Sequence, residues 1–491
     1  MMKTAIVIGA GLGGLSSAIR LASSGYKVTV LEQQHKVGGK LQRIESQGYH
    51  FDRGPSTITM PQAFARVFAS SGRRMEDYLD LYRLDPYTRN FFADGSVVDM
   101  TSNMGLLKDQ IALYSPDDAA NLDAFMKDSK AMFQQADTHF LNKLMLDTKS
   151  KLSPALISAF LKIRPLTTLQ QQLHRYFSHA NTLAMFGRYA TYVGASPYKA
   201  PAIFAMMAHL EGYAGVYGVK GGTYAIPAAF EKVAQELGVD IRTGVAVHTL
   251  LFSGDRVTGV ECDDGSIYAD VIVVNGDVLT ACKNLIPESK RPGMRDSRIQ
   301  AYEPSLSGFV ALIGVRQKYR KLLHHNVFFP EQYAAEFHDI FVKRRPPSDP
   351  TVYICHSGYS EPSMAPEGGS NLFVLINAPY TSSAWSWDQG RDAYKAQLMS
   401  RLHTLGIYGA EEAEVQQIYT PEDLQKDTGA YRGAIYGISS NSARQTFARP
   451  SNRLKGLNNL WFVGGTTNPG GGTPIVTLSG QLVADEIIRR G

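Results

Sequence analysis

The sequence predicts an α/β fold in which one domain is assembled from three separated pieces of chain, with a second domain inserted between them. Three observations carry this prediction. Residues 4–32 read as strand, glycine turn, helix and strand, which is one βαβ unit of the length that motif needs. From Gly221 onward a second alternation of helix and strand begins. Residues 441–491 then return to strand, glycine-rich turn and helix. The expected division is 1–85, 221–295 and 441–491 for the first domain, and 86–220 with 296–440 for the second.

The elements follow in order. "TAIVI" (4–8) is a buried strand, and "GAGLGG" follows it. In "LSSAIRLASSG" the apolar residues Leu15, Ala18, Ile19 and Leu21 have helical spacing, and Gly25 ends the helix. "KVTVLE" is the second strand. Residues 60–220 are mostly helical in pattern, apart from a hairpin in "FFADGSVVDM" with its turn at Asp94-Gly95. "PAAFEKVAQELG" is a helix, Val239–Arg242 a short strand, and residues 245–277 are strands with turns near Gly254 and Gly265. Residues 300–440 mix strands and helices.

Composition narrows the function. A chain of 491 residues exceeds one hydrophobic core, and 44% hydrophobic with 19% charged residues marks a globular protein. No run of 18 apolar residues suggests a membrane-spanning helix, and the N-terminus lacks the pattern of a secretory signal. The three cysteines, Cys262, Cys282 and Cys355, are scattered and fit a reducing cytoplasm better than a disulfide framework or a metal site. A net charge of +5 without basic blocks argues against nucleic acid and leaves a weak attraction to anionic lipid.

The strongest chemical signal is a nucleotide cradle. Gly9, Gly11 and Gly14 fit G-x-G-x-x-G between a strand and a helix, as a Rossmann-like domain requires. Gly9 allows the tight turn, Gly11 lets backbone approach a pyrophosphate, and Gly14 packs helix on strand. Free N–H groups at the helix start suit the phosphates. Glu32 ends the second strand 18 residues beyond Gly14, where its carboxylate can hold both ribose hydroxyls and disfavours a 2′-phosphate. "HKVGGK" and "FDRGPS" add Gly38, Gly39, Lys40 and Gly54 as further close approaches, which suit a cofactor longer than NAD.

With "FDRGPSTITMP" (51–61) and "LWFVGGTTNPGGGTPIVTLSG" (460–480), these motifs resemble the FAD-dependent bacterial carotenoid desaturases and oxidases, within the wider flavin amine-oxidase-like superfamily. The resemblance runs nearly end to end. It is nearest to the branch that oxidises the terminal methyl of C30 carotenoids, on "FFADGS" (91–96), "YVGASPYKAPAIFAM" (192–206), "LHHNVFF" (323–329) and "RGAIYGI" (432–438). The desaturase pattern has His-Pro-Gly where this chain has Asn468-Pro469-Gly470, which favours the oxidase branch. Lys40 stands where the family has Arg, keeping the charge without the planar fork.

The resemblance implies FAD as cofactor. It implies cofactor contacts from Gly9, Ala10, Gly11, Leu12, Gly13, Gly14, Glu32, Gly39, Lys40, Gly54, Pro55, Ser56, Val247, Gly464, Gly465, Gly472 and Thr473, with Asn468 the candidate catalytic residue beside the flavin ring. "ADVIVVNGD" (269–277) would close the sheet. Thr473 is expected to cap the last helix with Pro474 at its first position, and Ile475, Leu478 and Leu482 to form its buried stripe. Gly480 within that helix suggests a second close contact.

A long apolar polyene as substrate implies a protein lying peripherally on the inner face of the cell membrane. "KLSPALISAFLKIRPLTTLQQQLHRYF" (151–177) is the candidate membrane-facing pair of helices. Ser153 and Pro154 start it, Leu156, Ile157, Phe160 and Leu161 form its apolar face, Lys151, Lys162 and Arg164 edge it, and Leu166, Leu169 and Leu173 continue it. The bland alternative is a helix facing its own core. His324 and His325, as neighbours on a strand, should point apart, and no metal ligand cluster is expected. A desaturase remains the rival reaction, and a flavin-free lipid escort the rival class.

Overall fold

The computed structural model describes residues 2–144, 146 and 154–490. A five-stranded parallel sheet runs in the order 460–462, 271–274, 4–8, 27–32, 240–243. Its strands are gathered from across the whole chain. The central strand Thr4–Ile8 is buried along its middle, because helices cover one face and an antiparallel meander (247–253, 256–262, 265–268) lies near the other. Strand 271–274 is internal; the edge is strand 460–462, whose pairing the last segment provides.

On the helical face, Leu12–Ala22 packs between Ala225–Glu236 and Thr473–Arg490 around Leu15, Ile19, Phe230 and Val483. The opposite face buries Leu31, Val257, Ile272 and Phe462. Both faces are therefore dry, which is why these strands read as nearly continuous apolar runs.

A second, seven-stranded sheet runs in the order 415–419, 307–315, 370–378, 352–355, 325–328, 88–91, 97–100. All its pairs are antiparallel except 325–328 with 88–91. Helix Trp387–Thr404 covers one face over Phe309, Trp387 and Leu398. Helices between residues 104 and 214 form a separate cluster around Leu107, Leu122, Phe125 and Phe186. The Asp94-Gly95 hairpin is present, with Gly95 at φ +87°. The mostly helical stretch also holds strand Leu81–Leu84, paired antiparallel with Val216–Val219; four-residue strands carry too little alternation to stand out.

The last helix starts differently from expectation. Gly472, at φ +106°, precedes it, and the Gly472 carbonyl accepts the Val476 N–H at 2.9 Å. Thr473 is thus the first helical residue and not the cap. Leu478 is buried, but Ile475 and Leu482 are only partly so. The buried positions instead include Thr477, Gly480, Gln481 and Val483, because two other helices, 12–22 and 61–69, pack on this one.

Candidate active site

Strand 4–8 ends at Gly9, whose φ of +98° turns the chain toward the next helix while its N–H donates to Leu31 O at 2.7 Å. A Cβ on Gly14 would stand 2.1 Å from Gly9 O, so no larger residue fits beneath the turn. Cβ atoms on Gly11 and Gly13 would meet the Asn275 side chain at 2.8 and 2.7 Å, and one on Gly464 would meet it at 2.9 Å. Asn275 also donates through Nδ2 to Gly9 O at 3.3 Å. Asn275 therefore fixes four glycine-lined approaches at the carboxyl ends of the parallel strands, a role that its place after an apolar run does not reveal.

Glu32 is buried at the end of its strand, and its carboxylate accepts the N–H groups of Ala10 (2.7 Å) and Gln34 (2.9 Å). Burial raises its carboxyl above the ordinary value, and these backbone donors oppose the rise. Gly39 approaches Gly11, where an added Cβ would come within 3.2 Å of Gly11 Cα. Gly54 packs on Lys40 O, 2.5 Å from where its Cβ would be. The Lys40 ammonium is buried and donates to the carbonyls of Ala434 and Ile435; burial lowers its pKa and Asp277 opposes that.

At the far end, Asn468 O accepts from Asn452 Nδ2 at 2.9 Å and from Ser479 Oγ at 3.0 Å. This holds the glycine-rich loop open beside the last helix. Arg449 is buried next to it and donates to Gly465 O and Ser440 Oγ, both at 3.2 Å. Burial pushes the Arg449 guanidinium down to about 10. A buried cation bonded to neutral oxygens leaves a positive field in this end of the site.

These segments line one continuous cavity of about 880 Å³. Gly9, Gly11, Leu12, Gly13, Glu32, Gly39, Lys40, Gly54, Pro55, Ser56, Val247, Gly464, Gly465, Asn468, Gly472 and Thr473 all face it. Ala10 and Gly14 do not: Ala10 is spent on Glu32, and Gly14 on the helix–strand contact. Beyond the glycines the cavity continues between apolar side chains, among them Phe140, Ile203, Phe204, Met207, Val327 and Phe447. Arg188, Tyr192 and Tyr353 add polar groups to its wall. Tyr192 opens the segment 192–206 that carries the resemblance; no sequence motif marks Arg188, Tyr353 or Arg449, each an isolated residue brought in by tertiary packing.

His324 and His325 do not point apart. His324 precedes strand His325–Phe328, so strand alternation does not govern it, and the two rings pack with centroids 4.5 Å apart. One ring nitrogen of each and the Cys355 Sγ lie within 4.8 Å of one another, a convergence that residue spacing hid.

The helical pair is divided between the two readings. Lys151 and Ser153 lie outside the described residues. Helix Pro154–Lys162 leaves Ile157 48% and Leu161 69% exposed, and the following Leu166 is 91% exposed. Leu169 and Leu173 are fully buried in the helical core, and Arg164 is paired with Asp128 at 2.6 Å; the second helix thus faces inward. Among the described residues no helix is long and apolar enough to cross a membrane.

Residues 12–488 match the family model described as flavin containing amine oxidoreductase. The chain is 34% identical over 489 residues to a 4,4'-diaponeurosporene oxygenase of Staphylococcus haemolyticus, covering 99% of this chain and 97% of that one. It is 35% identical over 495 residues to the 4,4'-diaponeurosporene oxygenase of Staphylococcus aureus, covering 100% and 99%. A putrescine oxidase variant has the same fold, with TM-score 0.68 at 14% identity over 100% of this chain and 99% of that one. With glycine cradle, buried Glu32 and continuous cavity in place, the chain belongs to the family of flavin-containing amine oxidoreductases and is a flavin-dependent oxidoreductase.

Proposed function

We propose that this enzyme uses FAD to oxidise the terminal methyl group of a linear C30 carotenoid, resembling 4,4'-diaponeurosporene, to an aldehyde. The observation that carries the reading is the single cavity joining a nucleotide cradle to an apolar passage, in a chain about 35% identical throughout to diaponeurosporene oxygenases.

The residues fit FAD. Any Cβ at Gly11, Gly13 or Gly464 would collide within the cradle. Glu32 would take the ribose hydroxyls, and the start of helix 12–22 would present N–H groups to the pyrophosphate. The 464–472 loop and the start of helix 473–490 would lie against the ring, where a helix N-terminus and the Arg449 cation favour negative charge. When bound, FAD accepts hydride from carbon. The chain orients the substrate end, excludes water along the passage, and supplies the field.

The same reading places the protein peripherally on the cytoplasmic face of the membrane. Phe140 and Phe447 line the cavity, Phe160 packs on Phe447 at 4.9 Å between centroids, and the exposed Ile157 and Leu161 belong to the same helix as Phe160. Exposed apolar residues beside a cavity wall suit delivery of an insoluble chain from lipid.

Reconstitution with FAD in liposomes containing a C30 polyene tests the proposal. It predicts an aldehyde product, with label from H₂¹⁸O in the alcohol intermediate, whose oxygen does not exchange with solvent; label there from ¹⁸O₂ would replace water as the oxygen source, and absence of any oxygenated product would refute the reaction.

A further inference from the structure

Behind Tyr353 a line of polar groups leaves the cavity. Ser56 Oγ and Tyr353 Oη, both on residues that line the cavity, are 2.6 Å apart. Tyr353 Oη is 2.8 Å from His325 Nδ1. His325 is 1% exposed, and its Nε2 has no hydrogen-bond partner among the described residues. The His324 ring packs on it with centroids 4.5 Å apart, and a nitrogen of each ring lies within 4.8 Å of the other. His324 Nδ1 is 3.1 Å from Ser360 Oγ, and Ser360 is partly exposed. A small cavity of about 20 Å³ borders Ser56, His324 and Cys355, enough for a single water.

Converting a methyl to an aldehyde with oxygen from water removes hydrides from carbon and protons from oxygen. Bound flavin would take one hydride at a time and be reoxidised between the two by an electron acceptor such as O₂ or a quinone; the protons need an acceptor in a largely apolar passage. We propose that Tyr353 is that acceptor, and that His325, His324 and Ser360 carry the proton from the cavity to the surface. This rests on the reaction proposed above.

The step balances within the chain. The substrate O–H breaks and a new Tyr353 O–H forms, while the original Tyr353 proton passes to His325 Nδ1. His325 then releases its Nε2 proton to His324 through one bridging water, and His324 hands its own to Ser360 and solvent. Burial holds both imidazoles neutral: His324 is pushed down to about 3 and His325 lies well below its ordinary value. The groups facing them are His356 toward His324, Arg188 toward His325, and Cys355 and Tyr192 toward Tyr353. Surroundings that disfavour an imidazolium make the line conduct a proton without storing it. The unpartnered Nε2 is explained as a donor waiting for its acceptor. Cys355, held up to about 12 by burial, resists becoming the thiolate a metal would need.

The test compares wild type, Tyr353→Phe, His325→Gln and Tyr353→Phe/His325→Gln as FAD-loaded proteins in substrate liposomes. The proposal predicts that kcat falls about 100-fold in each single variant. KM, flavin content and Tm should hold, the double variant should be no worse than either single one, and added small bases such as formate should restore part of the lost rate. Wild-type turnover in either single variant, multiplicative losses in the double variant, or stoichiometric zinc in the purified protein would overturn it. A wild-type enzyme that only desaturates its substrate would overturn the methyl-oxidation reading and the O–H step with it, whereas aldehyde formed at the wild-type rate by the single variants would overturn the relay alone.

Discussion

Gly480 and Gly13 touch backbone to backbone across the molecule: a Cβ on Gly480 would lie 2.2 Å from Gly13 O. The helix that opens the chain and the helix that closes it are thereby held at a distance no other residue permits. The contact is reinforced by Ser16 Oγ donating to Thr477 O at 2.8 Å and by Gln481 Nε2 donating to Ser16 O at 2.9 Å. Because Gly13 and Gly464 line the same cavity, this crossing sets the width of the cofactor cradle.

Gly480→Ala should therefore force the two helices apart. Backbone cannot yield as a side-chain tip can, so a loss of about 2–4 kcal/mol is expected. Thermal denaturation checks the stability, and flavin absorbance of the purified protein should fall with it.

Glu32→Ala should leave the fold in place but weaken flavin retention. The proposed reading sets this carboxylate against the ribose, and the Ala10 and Gln34 N–H groups would lose their acceptor. A loss of about 10-fold to 100-fold in FAD affinity is expected from removing charge-assisted hydrogen bonds. Titration of the apoprotein with FAD measures it; unchanged affinity would remove Glu32 from the site.

Glu336 predicts a pH dependence. It is buried, accepts from Thr351 N at 3.1 Å and from Asn377 Nδ2 at 2.8 Å, and burial raises it to about 7. Between the unfolded value and about 7 the native state holds a proton that the unfolded chain has lost. Its stabilising contribution is thus fully present below the unfolded value and is lost as pH rises toward the folded one. The expected loss is about 3 kcal/mol relative to Glu336→Gln. Denaturant unfolding of both proteins from pH 4.5 to 8 should show the curves separating in that direction.

Leu161→Asp with Leu166→Asp tests the membrane face. Both side chains are largely exposed, 69% and 91%, so the fold should tolerate the change. Liposome flotation should drop sharply while flavin content stays constant. Flotation equal to wild type would place the lipid contact elsewhere.

Much of the glycine cradle is legible in the sequence. Strands covered on both faces need continuous apolar runs, and close approaches need glycine, so "TAIVIGAGLGG" and "VGGTTNPGGG" announce their surroundings locally. Thr473 suggests a cap in the sequence because its hydroxyl can accept a backbone N–H, yet the residue before the helix is Gly472, whose φ of +106° suits glycine. Leu169 and Leu173 show the limit of periodicity: spacing reveals an apolar face, but not whether lipid or protein covers it. The polar wall of the substrate passage was invisible for another reason. Arg188 and Tyr353 are far apart in sequence, and only the seven-stranded sheet and the helices beside it bring them to one cavity wall.

The central claim is tested most directly by mass spectrometry of carotenoids from cells that accumulate a linear C30 polyene and express this chain. The account predicts a product in which a terminal methyl has exchanged two hydrogens for one oxygen, reactive toward hydroxylamine as an aldehyde. A product that has only lost hydrogens, or an unchanged polyene beside flavin-loaded protein, would contradict it.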